Sequence, residues 1–125
     1  MHPTPARPVW FEIPVADLDR ATRFYETLFG VTLKREPMGP MSMAVFPHEE
    51  MQCGGALILG QPYVPSAQGS VIYLSAGPSL DAVLARVAPA GGAVLVGKTL
   101  ISPEIGYYAQ VRDSEGNTVG LCAPD

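Results

Sequence analysis

The chain is poor in the residues that most often announce a chemical site: among 125 residues there are two cysteines, two histidines and one tryptophan. Cys53 and Cys122 stand far apart with no Cys-x-x-Cys spacing, so neither a zinc site nor a disulfide framework is suggested, and both are expected to be free, small, buried residues. No apolar run is long. The stretch 56–59 is far too short to span a bilayer, and the start, Met1-His2-Pro3-Thr4-Pro5, carries no signal-peptide pattern, so no membrane partner and a cytoplasmic location are expected. Eight basic against twelve acidic side chains give a formal charge of −4 without a basic block, which removes the electrostatic footprint of a nucleic-acid binder. A serine-histidine-aspartate arrangement, a phosphate-binding glycine loop and a dinucleotide fingerprint are missing too, since Gly91-Gly92 closes a helix rather than opening one.

What the chain does have is apolar residues in regular patterns. At 47% hydrophobic and 16% charged it can bury enough surface to offset the entropy of ordering. The thirteen glycines and thirteen prolines fall between periodic segments, as turn punctuation. Residues 9–15 alternate as a strand with Phe11, Ile13 and Val15 on one face and Trp10, Glu12 and Pro14 on the other. Asp17 sits where a helix N-cap belongs, Leu18, Ala21, Phe24, Tyr25 and Leu28 follow at helical spacing, and Gly30 supplies a stop. Strands are expected at 31–34, 41–46 and 54–59, giving the order β-α-β-β-β.

The same grammar starts again at Ser70. A strand over 70–75 precedes Ser79 as N-cap and Leu80, Val83, Leu84 and Val87 on one helical face, with Pro89 and Gly91-Gly92 ending the helix. Strands follow at 93–99, 107–112 and 118–122, the last two joined by the turn Asp113-Ser114-Glu115-Gly116-Asn117. A shift of 62 positions lays Leu18 on Leu80, Ala21 on Val83, Gly30 on Gly92, Leu33 on Leu95 and Leu57 on Val119. The expectation is one α+β domain over 1–125, with a first module near 8–60, a linker at 61–69 and a second module near 70–123.

The segments 11–21 (with Phe24-Tyr25 and Phe29-Gly30), Gly91-Gly92 and 113–117 resemble the vicinal oxygen chelate superfamily of glyoxalase I, fosfomycin- and bleomycin-resistance proteins and extradiol dioxygenases. Within it the chain looks most like a bacterial group of lactoylglutathione-lyase-related proteins, through Trp10-Phe11-Glu12-Ile13-Pro14 and Ile105-Gly106-Tyr107-Tyr108-Ala109. The resemblance implies paired βαβββ modules whose curved mixed sheets form a cup, with a divalent metal at its floor in the enzymes, and a homodimer. Fold transfers more readily than activity. At the positions that match the superfamily's metal ligands this sequence has Trp10, Ile58, Ile72 and Gly120, none able to ligate a metal, so no metal or other cofactor is expected. His2 lies near the terminus, and His48 beside Glu49 and Glu50 reads as part of a solvated loop.

The expected cup is bordered by Trp10, Met43, Ile58, Ile72, Tyr107 or Tyr108, Gly120 and Cys122, an aromatic and apolar lining suited to a flat organic ligand. Glu12 shares the face of Trp10 and is the candidate acid or base; the alternative is a structural ion pair with Arg112 or Lys98. A small-molecule binding module without a metal, a metal-free isomerase, lyase or hydroxylase-like enzyme using Glu12, and a partner-binding subunit with a filled cup are the three readings left open.

Overall fold

The computed structural model describes residues 3–125, so His2 lies outside the described residues. The element order is β1 (Trp10–Pro14), α1 (Leu18–Phe29), β2 (Lys34–Met38), β3 (Met41–Val45), β4 (Gly54–Leu59), β5 (Tyr73–Ser75), α2 (Leu80–Ala90), β6 (Ala93–Ser102), β7 (Gly106–Arg112) and β8 (Thr118–Ala123). This is βαβββ twice. The strands form two separate mixed sheets with matching orders, β1-β4-β3-β2 and β5-β8-β7-β6. In each, the first strand pairs parallel with the last and the remaining pairs are antiparallel.

Local chemistry explains most boundaries. Asp17 caps α1 by accepting from the Arg20 amide, and Gly30, at φ 66°, takes the left-handed conformation that ends it at little steric cost. Two expectations shift. The second strand lies at Lys34–Met38 rather than 31–34, and it holds Pro37, which is tolerated because β2 is the sheet edge and needs no donor on its open side. Pro89 does not end α2. It sits in the last turn, where only one intrahelical bond is forfeited, and Gly91 in the left-handed conformation ends the helix instead.

Both helices lie between the two sheets. One buried cluster joins Ile13, Val15, Ala44 and Leu57 of the first sheet, Tyr25, Leu28, Leu80 and Val87 of the helices, and Ala109, Val111, Val119 and Leu121 of the second sheet. Each large aliphatic side chain buried there contributes about 1.5–3 kcal/mol. α1 packs on α2, and no strand of one sheet packs directly on a strand of the other. The opposite face of each sheet is therefore turned outward, away from the shared core.

A polar network around the β7–β8 turn ties the modules together. Glu115 in the β7–β8 turn accepts from the Ala16 and Asp17 amides, both at 2.9 Å, and pairs with Arg20 Nε at 2.8 Å. Asn117 donates to the Pro14 carbonyl and to Asp113, and the Tyr25 hydroxyl donates to Asp113. Asp113 also accepts from the Glu115 and Asn117 amides, so its buried carboxylate is satisfied on all sides.

Candidate functional site: two outward half-cups

On the first sheet, strand alternation and register place Trp10, Glu12, Met43 and Ile58 on the outer face. Glu12 stands opposite Ala56, and Met43 opposite Ile58. Met43, Ala56 and Ile58 form a small cluster separate from the main core, edged by Met41, Val45 and Tyr63. Ile58 is fully covered and is a floor, not a wall. Glu12 accepts from the Trp10 indole N–H at 3.3 Å, and its carboxylate, hydrogen-bonded beside the Tyr63 hydroxyl, raises the pKa of that phenol. Among the described residues no cation lies within 4.0 Å of Glu12. Lys98 pairs with Asp81 instead, and Arg112 has no carboxylate partner.

On the second sheet, Tyr108, Gln110, Gly120 and Cys122 face outward together, and Tyr108, Gln110 and Cys122 border, with Tyr73 and Ile101, an open hollow of about 390 Å³. The Tyr73 and Tyr108 rings meet edge-to-face at 6.2 Å, and Gln110 Nε2 donates to the Tyr73 hydroxyl at 2.8 Å. Arg112 lies on the same face by alternation, and its Nε is buried without a partner.

Two expected lining residues point the other way. Tyr107 packs against the core, with Lys98 Nζ 4.5 Å from its ring centre, so Tyr108 is the tyrosine of the outer face. Ile72 also packs against the core, although it reaches a small pocket of about 150 Å³ that Glu12 borders too. The reason is one inserted residue. Between Val15, which bonds the Ile58 carbonyl, and the N-cap Asp17 there is only Ala16; between Ala76, which bonds the Cys122 carbonyl, and Ser79 there are Gly77 and Pro78. A shift of one position turns a strand over. Trp10 thus corresponds to Val71 rather than to the Ile72 that a constant 62-residue shift gives, and Tyr73 takes the outer-face place of Glu12; the periodic pattern alone carries no sign of it. The strand partner of Glu12 is Ala56, as that of Tyr73 is Gly120, so Ala56 rather than Ile58 is the counterpart of Gly120.

The outer faces therefore do not meet in one chain: Trp10, Glu12 and Met43 stand on one, Tyr73, Tyr108, Gly120 and Cys122 on the other. The donor set does not fit a metal. Trp10, Ala56 or Ile58, Tyr73 or Ile72, and Gly120 offer no imidazole, carboxylate or thiolate, and among the described residues no three His, Cys, Asp or Glu side chains converge.

Residues 7–47 match a family model described as "Bleomycin resistance protein-like N-terminal". A glyoxylase/bleomycin resistance protein/dioxygenase domain from Frankia sp. EAN1pec superposes with a TM-score of 0.71 at 18% identity, over 96% of this chain and 98% of that one. TnmS3, an antibiotic binding protein from Streptomyces sp. CB03234, gives 0.65 at 23% identity, over 99% and 100%. A hypothetical protein from S. aureus, SA1046, gives 0.66 at 25% identity, over 91% of each chain. No curated protein sequence matches the chain. The chain has the fold of these glyoxalase and bleomycin-resistance domains, and its segment 7–47 is similar to the N-terminal part of bleomycin resistance-like proteins.

Proposed function

We propose that the chain is a metal-independent binding protein for a small apolar or aromatic compound, and that its cup is assembled from two copies. The outer face of the first sheet of one chain would close on the outer face of the second sheet of its partner. The carrying observation is that these faces point away from each other within one chain while each exposes a large aromatic side chain, Trp10 at 41% and Tyr73 at 45%. Isolated half-cups of this kind bury too little of a ligand to hold it; facing copies bury most of it. β6 supports the same arrangement. It is a ten-residue edge strand with Val94, Leu95, Leu100 and Ile101 exposed, the kind of edge that a partner covers. The Streptomyces neighbour named as antibiotic binding supports a small organic ligand. A cytoplasmic setting, with both thiols free, belongs to this reading.

Light scattering at micromolar concentration should give twice the chain mass of 13.3 kDa, and a thermal-shift screen of polycyclic aromatic compounds should find a ligand. Trp10→Ala and Tyr108→Ala should each weaken it. A single-chain mass together with undiminished ligand binding overturns the two-copy cup.

A second reading rests on one observation, the Glu12 carboxylate without a cation between an indole N–H and a phenol. Such a group can accept a proton from a bound substrate, as a metal-free isomerase or lyase requires. Glu12→Gln that retains binding and loses turnover would select this reading; equal loss of binding would make Glu12 an anchor.

A further inference from the structure

At one end of the molecule a carboxylate grips backbone amides of the other module. There the Glu115 carboxylate holds the Ala16 and Asp17 amides and Arg20. In the repeat, the β3–β4 loop is the counterpart of the β7–β8 turn, and the start of α2 is the counterpart of the start of α1. The counterpart grip cannot form: Pro78 stands in the place of Ala16 and has no N–H, and Ala82 stands in the place of Arg20 and has no guanidinium. At that end the modules part and leave a cleft of about 540 Å³.

The walls are apolar and aromatic. Phe11, Phe29 and Phe46 line the cleft from the first module, and Leu74 and Val83 from the second. Phe11 and Phe46 lie 5.6 Å apart between ring centres, so two aromatic faces are already set side by side. The cation in the lining is Arg86. Its Nη1 donates to the Leu28 carbonyl at 3.1 Å, which fixes the group at the cleft, and no carboxylate lies within 4.0 Å of it among the described residues. The start of α2 reaches the same space through Ser79, but its Leu80 amide donates to the Asp125 oxygen at 2.7 Å and Asp81 stands in its first turn, so the positive charge that the cleft offers is that of Arg86. In a chain of net charge −4, a guanidinium without a carboxylate partner beside an apolar cleft selects for charge as well as shape.

We propose that this cleft is a second ligand site, separate from the outward half-cups, and that it takes a small flat monoanion of the aromatic carboxylate or sulfonate class. The ring system lies against Phe11, Phe46 and Leu74, and the anionic group meets the guanidinium of Arg86. The volume falls within the range of small-molecule pockets, and the planar fork of arginine suits carboxylate and sulfonate oxygens. The inference goes beyond the two-copy cup and stands or falls without it.

The test uses 8-anilinonaphthalene-1-sulfonate as the anionic probe and N-phenyl-1-naphthylamine as its uncharged counterpart, each titrated by fluorescence into the whole protein. The sulfonate should bind, and its amide chemical-shift changes should centre on Gly54, Gly77 and Ala82 rather than on Tyr73 and Tyr108. Arg86→Gln should weaken the sulfonate about tenfold, the scale of one charge-assisted hydrogen bond, and leave the neutral probe within about twofold. Ala82→Phe should fill the cleft and exclude both. Alkylation of Cys53, which lies in the lining, should slow in the presence of the sulfonate, a readout on the parent protein that needs no variant to fold. Binding unaffected by Arg86→Gln, shift changes centred on the tyrosine hollow, or changes at Gly54 and Gly77 that follow protein concentration instead of probe would each overturn the proposal.

Discussion

The Tyr25 hydroxyl donates to the Asp113 carboxylate at 2.6 Å, joining the first helix to the last hairpin across 88 positions of sequence. Burial, and then the nearby Asp113 charge, push the phenol's pKa well up, so it remains the donor throughout the ordinary pH range. Tyr25→Phe should cost about 1.5–3 kcal/mol, because a bond to a charged acceptor is lost and a buried oxygen is left under-paired. The check is a lower urea midpoint with an unchanged slope. An unshifted midpoint would mean that Asn117 and the turn amides satisfy Asp113 alone.

Glu115 sets an acid limit. Burial alone would raise its pKa, but the Arg20 guanidinium, the Asp17 and Ala16 amides and the Ser114 hydroxyl outweigh burial and bring it from 4.5 to about 2. A lowered folded-state pKa means that the ionised form favours folding. Its contribution is complete above about pH 4.5 and is lost as pH falls toward 2. Glu115→Gln should lower stability at pH 7 by roughly 1–2 kcal/mol, allowing for solvent screening at the half-exposed Arg20, and should flatten the fall in midpoint between pH 5 and pH 2.5. Parallel pH profiles for parent and variant would rule this out.

Gly120 makes room for a ring. A Cβ there would lie 2.3 Å from Tyr73 Cδ2, so Gly120→Ala must displace Tyr73 from the hollow, at a cost of about 1–3 kcal/mol. In a Tyr73→Ser background the same change should cost little, and the double-mutant cycle should return most of the penalty as coupling. An equal cost in both backgrounds would place the strain in the backbone.

The two thiols should react at different rates. Cys53 is exposed in the β3–β4 loop, whereas Cys122 is half-buried on the outer face of β8 beside Tyr108. A small disulfide reagent should therefore modify Cys53 first, and concentrating the protein should protect Cys122 if copies close over that face. Protection of Cys53 alone would speak for a different contact surface.

Much of the fold could be read from side-chain periodicity and stop signals: Asp17 and Gly30 bracket α1, and residues 54–59 emerge as β4. The site was less legible, for a reason of counting. A repeat detected on the helices, where Leu18 lies on Leu80, says nothing of a residue inserted ahead of the second helix, and Gly77-Pro78 is enough to turn Ile72 inward and Tyr73 outward. Tyr107 and Tyr108 were bound to point opposite ways, but only the pairing of Tyr108 with Cys122 decides which faces out. The cleft at Arg86 left no mark in any short stretch, because its walls come from six separate segments.

The grip of Glu115 on the Ala16 and Asp17 amides spans up to 99 positions, and this gives the protein a schedule during synthesis. The first βαβββ unit leaves the ribosome with its opening helix amides and the Tyr25 hydroxyl facing water, and their partners follow only 88 to 99 positions later. The early unit must therefore wait, loosely formed, until the β7–β8 hairpin emerges and closes it. A ribosome stalled shortly before Asp113 should carry a nascent chain that proteases still cut near α1, and one stalled well beyond Asn117, far enough for the turn to clear the exit tunnel, should carry a chain that they do not.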